Sequence, residues 1–276
     1  MSGEIIYKMT GSGNDFVFLD GRWTELDAWP ADRIRRVCAR GTGVGADGLI
    51  VLGPGSGPGA VRFHFFNSDG SRGAMCGNGA LCATRLAALL ELAPADDVRL
   101  ETDAGLVRSR CVPDTSDRAE LALPNVTDVR FPEIDPNPGE HEIGYAVVGV
   151  PHLVVRVDDL ETVDVLGRGR ALRAHPSLGE AGANVNFVAA SGDSWAMRTY
   201  ERGVEDETLA CGTGAVASSL ILSSTGRTSL PWSVHTRSGT VLTVSGKLDP
   251  ETRHLHTPSL GGEGKLVFRG VLEAGF

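Results

Sequence analysis

Short apolar runs recur along the chain, most of them four to seven residues long. Residues 4–9, 16–20, 48–52, 61–66, 98–102, 106–112 and 119–123 read as strands, and so do 145–150, 153–157, 185–189, 195–200, 232–236, 240–245 and 266–269. They are rich in β-branched and aromatic side chains, which suit a pleated, half-buried surface. A helix is expected from near Pro30, a residue favoured at the first helical position, to the stop at Gly41. Its counterpart is expected at 164–174. Two more helices begin at Cys76-Gly-Asn-Gly-Ala80 and Cys211-Gly-Thr-Gly-Ala215 and run apolar, from Leu81 to Leu92 and from Val216 to about Ser223. Many short strands around one apolar helix predict a curled sheet or barrel wrapped on that helix. Residues 112–118 are polar and turn-rich and mark a boundary; 53–60 and 132–141 are Pro/Gly loops.

The pattern is written twice. Gly13-Asn14-Asp15-Phe16 resembles Gly149-Val150-Pro151-His152 at an offset of 136. Gly45 to Val51 resembles Gly182 to Val188 at 137, the two Cys-Gly-x-Gly-Ala motifs lie 135 apart, and Thr102 to Val107 resembles Thr236 to Val241 at 134. Four matches in one order at nearly one spacing predict two copies of a single fold.

Composition narrows the partners. Lys and Arg total 26 against 35 Asp and Glu, a net charge of −9. An acidic chain without basic runs argues against nucleic acid or an anionic membrane as partner. No segment approaches the roughly 20 apolar residues of a membrane span. Charges at Glu4, Lys8, Asp15 and Asp20 exclude a signal peptide, and five cysteines, an odd number, point to reduced thiols in the cytoplasm. Glycine is about twice its usual ~7%, in punctuated turns rather than tracts.

The chemistry centres on the two cysteine motifs. Each puts a thiol where the chain enters a helix, whose first amides lack partners and favour an anion. The same field lowers a thiol's pKa, so both thiols are expected near about 8, one charged and one neutral. A substrate carboxylate on both helix ends would leave one thiol on each side of its α-carbon, the geometry of a two-base racemase. The α-carbanion is usually stabilised by pyridoxal phosphate on a lysine. The only lysines are Lys8, Lys247 and Lys265, and none sits in a strong site motif. Preorganised amides are the remaining remedy, so no cofactor is called for.

The motifs Lys8-Met-Thr-Gly-Ser-Gly-Asn-Asp-Phe16, Phe66-Asn-Ser-Asp-Gly-Ser71, Met75-Cys-Gly-Asn-Gly-Ala80, and Tyr200-Glu-Arg-Gly through Ala210-Cys-Gly-Thr-Gly-Ala215 resemble diaminopimelate epimerase, nearly end to end. The resemblance implies an α+β fold of two pseudo-symmetric domains, each a mostly antiparallel β-barrel around a central α-helix. The C-terminus returns to the first domain, giving 1–120 plus 264–276 with Cys76, and 121–263 with Cys211. It implies a cytoplasmic homodimer that interconverts LL- and meso-diaminopimelate, a small diamino dicarboxylic acid, in lysine and peptidoglycan precursor synthesis. Cys76 and Cys211 match the catalytic pair, and His152 and Glu201 match residues assisting proton transfer. Gly77, Asn78, Gly212 and Thr213 match the carboxylate cradle, and Asn14, Asn67, Asn184 and Arg202 match substrate-binding positions. The chain departs from the family at Val150, where many members have Asn, and at Gly48, where some have Gln. Subtracting the offsets takes His152 to Phe16 and Glu201 to Phe66, so the helpers exist only in the second half. That asymmetry is expected to hold the thiols in opposite protonation states.

Other signals fall away. Gly43-Val-Gly-Ala-Asp-Gly48 satisfies G-x-G-x-x-G, but a helix precedes it and a strand follows, the reverse of a dinucleotide fingerprint. No Cys/His set has zinc spacing. Cys38, Cys82 and Cys111 read as core. A racemase of another amino acid on the same scaffold, of histidine or proline type, is the alternative enzyme. A binding protein without turnover is the alternative class, though binding needs no thiols.

Overall fold

The computed structural model describes residues 3–273 and 275–276. The chain divides into two compact units, Met1–Leu121 with Gly261–Phe276, and Ala122–Leu260. No helix among the described residues is long and apolar enough to cross a membrane.

In the first unit, strands Glu4–Gly11 and Asn14–Asp20 form an antiparallel hairpin. Helix α1 (Ala31–Cys38) carries the chain over to Gly48–Pro54, which runs parallel to Asn14–Asp20. Ala60–Asn67 returns antiparallel, and α2 (Gly77–Leu89) then crosses to Val98–Thr102, parallel to it. Two antiparallel strands follow, and Lys265–Leu272 comes back to pair with Glu4–Gly11.

Successive side chains of a strand point to opposite faces. Met9, Phe16, Phe18, Ile50, Phe63 and Phe65 pack inward on Leu81, Cys82 and Leu86 of α2. Ile6, Val17, Leu19, Leu49 and Val51 pack outward on Ile34 and Val37 of α1. These strands read as unbroken apolar runs because both faces are buried.

The second unit repeats this order. Glu140–Val148 and Val150–Val157 form the hairpin, α3 (Val165–Arg173) crosses to the parallel strand Asn184–Ser191, and Ser194–Glu201 returns antiparallel. Helix α4 (Gly212–Ser224) then crosses to Trp232–His235, parallel to Ser194–Glu201, and Val241–Leu248 follows antiparallel. Val154, Val188 and Met197 pack with α4, while Leu153, Val155 and Phe187 pack with Leu172 of α3. The fold is α+β with mostly antiparallel strands, as expected.

Strand registers correct two of the sequence offsets. Phe16 pairs with Gly48 and His152 with Asn184, an offset of 136 on both strands. Val61 pairs with Leu100 and Trp195 with Val234, an offset of 134. Face parity demands these values, since a slip of one residue would turn every side chain to the other face. Glu201 therefore corresponds to Asn67, not Phe66, and Asn186 to Ile50. The segment between strand and cysteine is one residue longer in the second unit, so the offset between the cysteine motifs does not carry over to the strands. Pro30 is also the residue before α1 rather than its first residue, and α2 stops at Leu89, ahead of Glu91 at φ 57°.

Candidate active site

Unit one places Cys76 directly before α2 in extended backbone, with its Sγ accepting from the Gly79 amide at 3.5 Å. Gly77 opens the helix with free space where a Cβ would stand. Asn78 is nearly buried, and its Nδ2 donates to Asn14 Oδ1 at 2.7 Å; Asn14 Nδ2 donates to Asp47 Oδ2 at 2.9 Å. Arg40 bridges Asp47 and Asp15, and the Lys8 ammonium donates to Asp15 and to the Gly45 carbonyl. Asn14 and Asn78 are thus fixed by a charged chain running to the unit's edge. Burial pushes the Asp15 carboxyl up, but the Arg40 and Lys8 hydrogen bonds outweigh it and hold it below the usual carboxylate range. Asn67 stands apart from this chain, at the exposed end of its strand, with Nδ2 on Ser71 Oγ at 3.0 Å. Gly48 has no room for a side chain: a Cβ would lie 2.6 Å from the Phe66 carbonyl oxygen and 2.7 Å from the Phe65 ring.

Unit two places Cys211 before α4 in the same extended conformation, buried, with Sγ 3.7 Å from Thr213 Oγ1. A Cβ at Gly212 would meet Leu260 Cδ2 at 2.6 Å, so the opening beside Gly77 is not repeated here. The Cys211 thiol does not follow the expected downward shift. Burial pushes it up to about 12, with the Glu201 carboxylate adding to the effect against the Gly214 amide and Thr213 hydroxyl. Desolvation of a thiolate outweighs the helix field here. Glu201 is itself raised by burial, against the pull of Thr208. Asn184 is buried, and its Oδ1 accepts from the Arg202 backbone amide at 2.8 Å; Arg202 Nη1 donates to the Ala181 carbonyl at 2.9 Å. Val150 is about one-third exposed at the start of its strand, opposite Val148.

His152 is fully buried beside Asn184 in the parallel register. Burial, and to a lesser degree the Arg202 charge, pushes its imidazole down to about 3 from an ordinary 6.5. Between those values the unfolded chain binds more protons than the fold. The stability this contributes is complete above about 6.5 and is lost as the pH falls towards 3. Acid-induced unfolding is expected to show that slope, and His152→Gln to flatten it; equal slopes in both proteins would remove His152 as the cause.

The sequence reading missed Asn186. Its Nδ2 lies 3.2 Å from His152 Nδ1 and 3.2 Å from the Leu153 carbonyl oxygen, and its Oδ1 accepts from Thr199 Oγ1 at 3.0 Å. In the corrected register His152, Asn186 and Thr199 stand where unit one has Phe16, Ile50 and Phe65. Polar residues at three inward-facing positions were the signal. The one-residue misalignment hid it.

Cys38 and Cys82 are core thiols, pushed up by burial, Cys38 to about 11. Cys111 is also buried, with Sγ 3.8 Å from the Thr84 carbonyl oxygen.

A family model described as diaminopimelate epimerase matches residues 6–123 and 144–252. The chain is 45% identical to a diaminopimelate epimerase of Gemmatimonas aurantiaca, over 96% of this chain and 98% of that protein. It is 37% identical to one of Archaeoglobus fulgidus, over 96% and 95%. Among solved structures, a hydroxyproline epimerase of Agrobacterium vitis with bound trans-4-hydroxy-L-proline has a TM-score of 0.62 at 18% identity, covering 98% of this chain and 92% of that one.

Proposed function

We propose that this chain, which belongs to the diaminopimelate epimerase family, interconverts LL- and meso-diaminopimelate by a two-thiol mechanism. The carrying observation is a device written twice, a cysteine directly before a buried helix, Cys76 on α2 and Cys211 on α4. One thiolate takes the α-proton, the electron pair passes into the substrate carboxylate, and the other thiol returns a proton to the opposite face. The raised pKa of Cys211 favours it as the protonated partner of the resting enzyme, leaving Cys76 as the base. After turnover the roles are exchanged, as reversibility requires.

The first-turn amides of both helices, at Gly77, Asn78, Gly212 and Thr213, are proposed to bind the reacting carboxylate and stabilise the growing charge. Asn14, Asn67, Asn184 and Arg202 are assigned to substrate binding, most of them at the distal end, where a guanidinium fork suits a second carboxylate. Glu201 and His152 are assigned to the surroundings of Cys211. Lysine chemistry has little to work with: Lys8 is engaged by Asp15 and Gly45, and Lys247 and Lys265 lie exposed on strands. A competing reading, a racemase of another amino acid, draws on Val150 and the packed Gly48, which present no polar group.

Incubation in D2O with LL-diaminopimelate, without pyridoxal phosphate, is expected to give deuterium at the inverted α-carbon. Exchange only on other amino acids would favour the competing reading, and no exchange on any would end both. The protein is also proposed to work in the cytoplasm as a homodimer. Five free thiols support the first. The exposed Ile5, Val267, Phe268 and Val271 of one strand pair support the second, which sedimentation equilibrium reads directly.

A further inference from the structure

We propose that Asn186 is a positioning residue that holds His152 in the Nε2–H tautomer, so that the ring meets its ligand as a neutral hydrogen-bond donor. The inference deepens the proposed epimerase and rests on that reading for its catalytic consequence, but the tautomer follows from geometry within the second unit alone.

The amide orientation is decided by its neighbours. Leu153 offers Asn186 a backbone carbonyl oxygen at 3.2 Å, which can only accept. The atom facing it is therefore Nδ2, a donor. Oδ1 then faces Thr199 Oγ1 at 3.0 Å, where the hydroxyl donates. With both hydrogens on Nδ2, the contact at 3.2 Å to His152 Nδ1 is a hydrogen bond only if Nδ1 accepts. A neutral imidazole accepting at one nitrogen carries its proton on the other.

That other nitrogen has no partner among the described residues. His152 is fully buried, and Nε2 is among the few buried side-chain nitrogen and oxygen atoms without a hydrogen bond. A buried N–H left unmatched is costly, which points to a ligand that accepts from it. The neighbourhood is that of the second thiol: a Cβ on Gly214 would overlap Asn186 Oδ1 and lie 3.2 Å from Cys211 Sγ. With the Arg202 charge acting on the ring, the acceptor that fits is an anionic oxygen. Unit one cannot do this, since Phe16 and Ile50 hold the matching positions. The charged group acting on the ring is Arg202, just past the end of the strand Ser194–Glu201, while Glu201 acts on Cys211. Neither replaces Asn186 at Nδ1.

The test uses the full-length protein with 15N-labelled histidine and reads the two ring nitrogens of His152, identified by their loss in His152→Gln. The parent is expected to show an unprotonated Nδ1 and a protonated Nε2 from pH 6 to 9. Asn186→Leu, of similar volume, is expected to release the tautomer into a mixture and to lower kcat for diaminopimelate inversion roughly a hundredfold, with KM changed less. Asn186→Asp, an acceptor, is expected to draw the proton to Nδ1 and bring a new ionisation into the pH profile. Thr199→Val keeps the Leu153 anchor and is expected to retain the tautomer, which guards against misfolding of the other two. A parent with Nδ1 protonated, or an Asn186→Leu protein with unchanged ring signals and kcat, would overturn the proposal. If the parent shows the tautomer but no turnover of diaminopimelate, the positioning stands and the substrate reading fails.

Discussion

Alanine at either Cys76 or Cys211 is expected to abolish α-carbon inversion. A group that moves a proton in the transition state contributes about 10²–10⁴-fold, and neither thiol has a substitute on its own helix. Thr213 Oγ1 stands 3.7 Å from Cys211 Sγ, but an alcohol is far too weak an acid to stand in for the thiol. Cys82→Ala is the control. It lies on α2 with Cys76, yet it is fully buried among Met9, Phe16 and Leu81, and burial keeps its thiol neutral. Its loss should lower the melting temperature slightly and leave inversion intact. Chirality and mass at the α-carbon, read in D2O, separate the three proteins. A Cys76→Ala or Cys211→Ala enzyme that still inverted would sink the two-thiol mechanism.

Gly214→Ala should be far more damaging than Gly79→Ala, although both glycines stand three residues after their cysteine. On α2 the new methyl would meet Ile50 Cδ1 at 2.8 Å, the far end of a side chain that can rotate away. The gain in helix propensity, about 1 kcal/mol over glycine, offsets much of that strain. On α4 the methyl would displace the Asn186 amide, which bonds His152, Leu153 and Thr199. Leaving buried polar groups unmatched costs about 1–3 kcal/mol each, so a loss of several kcal/mol is expected, with the activity. Denaturant melts of the two variants measure the difference; equal losses would mean that the Asn186 cluster is soft.

The fold was legible where hydrophobic periodicity was strong. The paired runs 16–20 and 48–52 are apolar on both faces because helices cover both, and that doubling of burial marks them as central strands. The starts of α2 and α4 were legible from glycines beside a cysteine. Leu255–Glu263 was not read as a strand at all. Pro258, Gly261 and Gly262 interrupt its pattern, and its alternation breaks where Leu260, Gly261 and Gly262 are buried in succession. Short pairings such as Asp206–Thr208 carry no periodic signal.

Within the site, Asn14, Asn78, Asn184 and Arg202 could be named from motifs, and their partners could not. Asp47 and Arg40 act on Asn14 only through the fold. The protonation of Cys211 departs furthest from what the sequence predicts. The helix field on a thiol can be read from sequence, whereas the desolvation that opposes it depends on how much of the chain closes over the sulfur. Asn186 was hidden differently. Its polarity is informative only against the aligned Ile50, and that alignment required strand registers.

The pairing of Lys265–Leu272 with Glu4–Gly11 has a consequence for biogenesis. A ribosome makes the first strand of unit one long before its second neighbour, Lys265–Leu272, with all of unit two in between. Unit two has its strands in one continuous stretch and can form as soon as it is made. The usual order, in which the N-terminal domain folds first during synthesis, is therefore expected to be reversed. The nascent hairpin Glu4–Asp20 waits with one edge bare, the state in which a growing chain is most open to chaperones or to pairing with a wrong strand.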